Sequence, residues 1–289
     1  MSIIFDAAFL QKLEYYTLVS RRQFRGTYLA QKRSKQHGTG VEFADHQKYV
    51  FGDDLRYLDW NVYARFGTEL IKRFTEDRDL PVYLFLDCSK SMTAGNPVKF
   101  DYARQLIAAL AYVALKDLDR VGIVAFAEKI HDFYPPVRGK HRTLQVLRHL
   151  ESLQTAGTAT DLKAVMTEFV NRNYRKGLAV IVSDFFDPAG FQSGIDVLRY
   201  RGFEPNLIQI HDILEAEPKL RGDIQLIDTE TGLAENVTVN ESILRQYKKR
   251  FAGFLDSLRR YSLRCGINYA ISPTNVPLEE LVSQTLKNY

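Results

Sequence analysis

Cysteine is scarce in this 289-residue chain: Cys88 and Cys265 stand far apart and at no metal-ligand spacing. That excludes a disulfide framework and a thiolate metal cluster, and it suits a reducing compartment. A marked excess of one charge sign is also missing. The 39 basic and 35 acidic residues leave +4, too little to require a nucleic-acid partner. Long apolar runs are lacking too, since the best, residues 106–115, falls far short of the about 20 residues a spanning helix needs. The first residues, MSIIFDAAFLQKLEYY, have no basic leader, and Asp6 interrupts their apolar part. A soluble, cytoplasmic protein with no membrane contact is expected. The six histidines are scattered, none at ligand spacing, and no P-loop, GxSxG or HExxH occurs.

What is present changes character near residue 80. Before it, Phe9, Leu13 and Tyr16 recur at helical spacing, followed by a basic stretch from Arg21 to Lys35. A segment crowded with charges and aromatics, YVFGDDLRYLDWNVYARFG, covers residues 49–67, and residues 69–76 read as a strand. From Pro81 the rhythm becomes strand, helix, strand. Residues 82–87, 121–126, 178–184, 206–212 and 267–272 read as strands, the first a short apolar run of the kind buried on both faces of a sheet. Helices are expected after Asn96-Pro97, as N-cap and first residue, and over 141–152, 161–173, 190–201 and 241–264. A hairpin is expected over 222–239 with its turn at Thr231-Gly232, and a short helix at the C-terminus. This alternation predicts an α/β fold, a doubly wound and mainly parallel sheet. The expected division is residues 1–80, a helical and extended segment packed on the sheet, and 81–289, the sheet domain.

The stretch LFLDCSKSM ends an apolar strand in Asp87, with Ser89 and Ser91 at two-residue intervals. Asp184 ends the strand VIVSD, and the loop GTATDL between them in sequence carries Thr158 and Thr160. In a doubly wound fold, ligands bind beyond the carboxyl ends of the strands, where both carboxylates would lie. Carboxylates with hydroxyls and no His or Cys nearby make a hard oxygen site suited to Mg²⁺, with Mn²⁺ and Ca²⁺ as alternatives. Asp and Ser at such junctions also serve as plain helix caps. Asp87 as a phosphorylated nucleophile is disfavoured, because the position two residues on is Ser89 rather than a second carboxylate. No enzymatic activity is expected.

Asp87-x-Ser89-x-Ser91, a Thr loop and Asp184 together resemble the metal-ion-dependent adhesion site of von Willebrand factor A-like domains, over about residues 80–275. The resemblance implies a Rossmann-type fold and cation ligation by Asp87, Ser89, Ser91, Thr160 and Asp184, directly or through water. Thr160 fits the Thr-Asp-Leu form, while Thr158, which follows the glycine, is the alternative ligand. One coordination position would remain for an acidic side chain of a partner.

GVEFAD at 40–45, YVFGDDLRYLDW at 49–60 and Ala64-Arg65 closely resemble the bacterial "domain of unknown function fifty-eight" family. Many of its members are encoded beside MoxR-type AAA+ ATPases. This implies a metal-dependent protein-binding adaptor or co-chaperone, with such an ATPase or its client as partner. Asp53, Asp54, Arg56, Asp59, Trp60 and Arg65 read either as a brace of Arg–carboxylate pairs around an indole ring or as a docking surface. The runner-up functions are a nucleic-acid adaptor using the basic stretch and a cryptic metal-dependent hydrolase. His211 and Cys88 read as packed structural residues, and nothing in the sequence fixes an oligomeric state.

Overall fold

A computed structural model describes residues 4–6, 9–15, 42–75, 81–117, 119–157, 159–227, 232, 234–278 and 280. The basic stretch 21–35, Thr158, Thr231 and most of the expected C-terminal helix lie outside these residues. The chain falls into two compact units, residues 23–79 and residues 1–22 with 80–289.

In the smaller unit, strand β1 (Glu42–Lys48) pairs antiparallel with β2 (Leu70–Thr75), with a bulge between Phe43 and Asp45. Between them lie a 3₁₀ turn (Leu55–Tyr57) and helix α1 (Trp60–Phe66). Each begins on an aspartate that accepts main-chain N–H groups, Asp54 for the turn and Asp59 for the helix. Gly67 ends α1 in the left-handed conformation (φ 62°), which a residue with a Cβ adopts only with strain.

The larger unit holds a six-stranded sheet in the order β10-β7-β6-β3-β4-β5. Its strands are β3 (Pro81–Asp87), β4 (Arg120–Phe126), β5 (Ile130–Arg138), β6 (Leu178–Ser183), β7 (Glu204–His211) and β10 (Asn268–Pro273). All neighbours run parallel except β4 and β5. The sheet is therefore mixed but mostly parallel, and the fold is α/β as the alternating rhythm predicts. The hairpin β8 (Gly222–Ile227) and β9 (Ala234–Val239) forms a separate two-stranded sheet.

The helices are α2 (Lys99–Lys116), α3 (Thr143–Ser152), α4 (Leu162–Asn171), α5 (Gln192–Tyr200), α6 (Ile213–Ala216) and α7 (Glu241–Cys265). One face of the sheet supplies Tyr83, Phe85, Val124, Phe126, Ile181 and Leu207 to a core shared with Leu162, Phe169, Ile195 and Leu258. The alternate residues Leu84, Leu86, Ile123 and Val182 are equally buried, so the central strands are apolar on both faces. Phe169 alone meets Tyr83, Phe85, Tyr174 and Phe203 ring to ring.

One local expectation needs correction, and one strand is added. Asn96-Pro97 lies in the turn before α2, whose N-cap is Val98. The Asn96 N–H donates to Asp212 instead (3.0 Å), which fixes the turn against the end of β7. Strand β5 is an addition, not legible as a strand because Pro135 and Pro136 interrupt it. Prolines are tolerated there because β5 is an edge strand.

Candidate metal centre

The chain leaves β3 toward β4 on one side and leaves β6 toward β7 on the other. The connections from these adjacent parallel strands thus run to opposite sides, and the crevice at their carboxyl ends is where open α/β sheets bind ligands. Asp87 ends β3, and Asp184 directly follows β6. Both are fully buried.

Each carboxylate is doubly held. Asp87 Oδ1 accepts the Ser89 N–H (2.9 Å), and its Oδ2 accepts the Ser183 hydroxyl (2.5 Å). Asp184 Oδ1 accepts the Phe186 N–H (3.2 Å), and its Oδ2 accepts from the Lys99 ammonium (2.7 Å). Ser89 Oγ and Ser91 Oγ lie 3.0 Å apart, one buried and one half-buried. Thr160 is buried, and its Oγ1 finds no hydrogen-bond partner among the described residues. The five residues expected at the site thus stand on β3, the turn after it, the loop before α4 and the end of β6.

The backbone is shaped for this arrangement. Gly157 has φ 84°, and a Cβ there would lie 2.7 Å from the Ala127 methyl and 2.0 Å from Glu128 Oε2. Only glycine lets the threonine loop pass so close to the end of β4. Phe185, directly after Asp184, sits in the left-handed region (φ 60°) while its N–H donates to Ser183 Oγ (2.8 Å). Such strain in a residue with a large side chain is characteristic of functional sites.

Burial, and then the neighbouring charge of Asp184, push the Asp87 carboxyl up from 3.8 to about 7, against the hydrogen bonds from Ser183 and Ser89. A carboxyl so placed holds its proton to higher pH than usual unless a cation compensates its charge. Burial alone would lower the Lys99 ammonium, but Asp184 and Glu215 outweigh it and hold it above its ordinary range. Cys88 is a buried filler whose thiol is driven up by burial and by Asp87, so it is no nucleophile. His211 is buried, 3.3 Å from Gln209 Oε1 and edge-on to Phe251, as a structural histidine should be.

A small divalent ion fits this donor set. The oxygens are hard, two carboxylates face one crevice, and the buried Thr160 hydroxyl lacks a partner. Among the described residues no three His, Cys, Asp or Glu side chains gather as a metal cluster. Any ion here would rely on hydroxyls and water for its remaining positions.

Three residues of the crevice escape a reading of the motif. Ser183 was visible as the residue before Asp184 in VIVSD. Lys99 opens α2, a position where a cation is unfavourable against the helix dipole, and that anomaly was its signal. Glu215, 116 residues further on and 2.6 Å from Lys99 Nζ, had none.

The GDDLRYLDW residues organise the smaller unit locally. Asp59 accepts from the Asn61 and Val62 N–H groups and pairs with His46 (2.9 Å) and Lys72 (3.3 Å). Hydrogen bonding from His46, with further help from Val62 and Lys72, lowers its carboxyl to about 2. Asp54 and Arg56 form an exposed pair (2.6 Å), and Asp53 accepts the Val50 N–H (2.9 Å). Arg65 lies in the last turn of α1 and is exposed. Trp60 is 62% exposed, as are Phe51 (98%) and Phe66 (74%).

No helix among the described residues is long and apolar enough to cross a membrane. The uncharacterized protein Rv1480 of Mycobacterium tuberculosis is 26% identical over 233 residues, covering 79% of this chain and 73% of that protein. Among solved structures, BatB from Bacteroides thetaiotaomicron aligns with a TM-score of 0.45 at 15% identity, covering 72% of this chain and 97% of that one. Proximal thread matrix protein 1 from the mussel byssus, with a zinc-occupied MIDAS motif, aligns at 0.38 and 10% identity, covering 71% and 45%. Likenesses this distant transfer no function. Residues 45–253, most of the chain, match the family described as "Protein of unknown function DUF58", and the chain belongs to that family.

Proposed function

We propose that this protein is a non-enzymatic, metal-dependent protein-binding module whose cation bridges to a carboxylate of its partner. The observation that carries this reading is the pairing of two buried carboxylates at adjacent parallel-strand ends with serine hydroxyls and the unpartnered Thr160 hydroxyl. Asp87, Ser89, Ser91, Thr160 and Asp184 would hold the ion, with Mg²⁺ the natural choice for hard oxygens. When bound, the ion supplies a positive charge that an acidic side chain can complete. Asp87 provides the anchoring charge, Ser183 and the Ser89 N–H orient it, and neutral Ser89 and Ser91 leave the ion's field unquenched.

The family resemblance of the GDDLRYLDW segment points to a MoxR-type AAA+ ATPase, or a client delivered to it, in the cytoplasm. The exposed rings of Phe51, Trp60 and Phe66 suit the docking reading of that segment, because aromatics of this size anchor interfaces. A pull-down with a purified MoxR-type ATPase in Mg²⁺ and in EDTA tests the reading. Retention in Mg²⁺ that falls with EDTA, with Asp87→Ala and with Trp60→Ser supports it. Retention indifferent to EDTA and to Asp87→Ala would refute the bridging cation.

A further inference from the structure

Lys99 has no exposed surface, yet it carries a full charge next to the candidate cation site. Its ammonium is split between Asp184 Oδ2 (2.7 Å) and Glu215 Oε1 (2.6 Å), with the Phe186 ring centroid 5.7 Å away. The other Glu215 oxygen accepts the Asp212 N–H (2.9 Å), closing a capping box on α6. Asp212 in turn accepts from the Asn96 N–H (3.0 Å) and the Thr274 hydroxyl (3.2 Å). Lys99 thus joins Asp184 to the capped turn that follows β7.

We propose that Lys99 is a resident cation that competes with the divalent ion for Asp184, and that Glu215 sets the strength of this competition. The inference rests on the cation-site reading above and names how that site is regulated. Asp184 cannot give its full charge to an incoming ion while it also neutralises an ammonium at hydrogen-bond distance. Glu215 draws the ammonium the other way and so frees part of Asp184. The site is then tuned to bind its ion weakly, and filling it shifts Lys99 toward the α6 turn.

The two flanking charges make the inference separable from a plain structural role. Removing the ammonium should tighten the divalent ion, because Asp184 is released. Removing the Glu215 charge should weaken it, because Lys99 then leans on Asp184 alone. If both residues merely kept the region folded, both substitutions would weaken binding.

Calorimetric titration of the full chain with Mn²⁺ decides the matter, using wild type, Lys99→Met, Glu215→Gln and Asp87→Ala. We expect Lys99→Met to bind about tenfold more tightly and Glu215→Gln several-fold more weakly, the scale of one unit charge a few ångströms away in a partly screened interior. Equal or weaker binding by a Lys99→Met protein that melts cooperatively would overturn the inference. If Lys99→Met does not fold, Glu215→Gln decides alone: binding as tight as wild type, or tighter, overturns it. Binding that survives Asp87→Ala would mean the site itself is misassigned. Binding that is lost with Asp87→Ala but unmoved by the Lys99 and Glu215 changes would refute only the competition.

Discussion

Ser183 donates its hydroxyl to Asp87 across the adjacent strands β6 and β3, at 2.5 Å. The same Ser183 oxygen accepts the N–H of Phe185, so the strained turn after Asp184 and the carboxylate that opens the DxSxS motif are fixed by one side chain. The two strand ends therefore form one preorganised crevice, and its electrostatics are set before any ion or partner arrives.

The first consequence is a pH dependence. The Asp87 carboxyl is raised from 3.8 to about 7 by burial and by Asp184. The folded state then holds this proton more tightly than the unfolded chain does. Its contribution to stability is present below about pH 4 and is lost as pH rises through about 7. In EDTA, the wild-type melting temperature should decline across that interval more than that of Asp87→Asn. The variant should be the more stable at pH 8, and the two should converge near pH 4. Parallel curves would contradict the assignment.

Placing a third carboxylate in the crevice should separate stability, metal affinity and partner affinity. Ser89 is buried, with its hydroxyl 3.0 Å from that of Ser91. In Ser89→Asp the new charge repels Asp87, so the melting temperature in EDTA should fall. Mn²⁺ should bind more tightly, while partner capture at saturating Mg²⁺ weakens, because the ion's residual charge is quenched. Partner binding equal to wild type would rule out the bridge.

In the smaller unit, Asp59 is the residue to change. It caps α1 and pairs with His46 and Lys72 on the two strands of the β1–β2 ribbon. Asp59→Ala should raise hydrogen exchange throughout 60–66 and in β1, while leaving β3, β4 and β6 protected. Uniform loss of protection in both units would show that Asp59 does more than organise its own unit.

Much of this architecture was legible because the central strands are continuous apolar runs, such as 82–87 and 178–183, broken sharply by helical periodicity. Helix α1 was hidden inside a charged aromatic segment whose exposed faces give no periodic signal, and β5 was hidden by its prolines. The site was half visible. Strand ends mark Asp87 and Asp184 in the sequence, while Ser89, Ser91 and Thr160 were picked out as ligands only through the family resemblance, with Thr158 as the alternative. Lys99 and Glu215 could not be placed, because their pairing depends on the approach of α2 to α6 across 116 residues of sequence. Local patterns record which residues begin or end an element, and say little about which of them meet.

The most direct measurement of the central claim is the melting temperature of the wild type and of Asp87→Ala as Mg²⁺ is raised from EDTA-treated protein at pH 7.5. An ion that binds only the folded form stabilises it by mass action, so the wild-type value should climb with the logarithm of Mg²⁺ concentration. The Asp87→Ala value should stay flat, and should start at or above the wild-type value in EDTA because the repulsion with Asp184 is gone. An equal climb in both proteins would contradict a cation site built on Asp87.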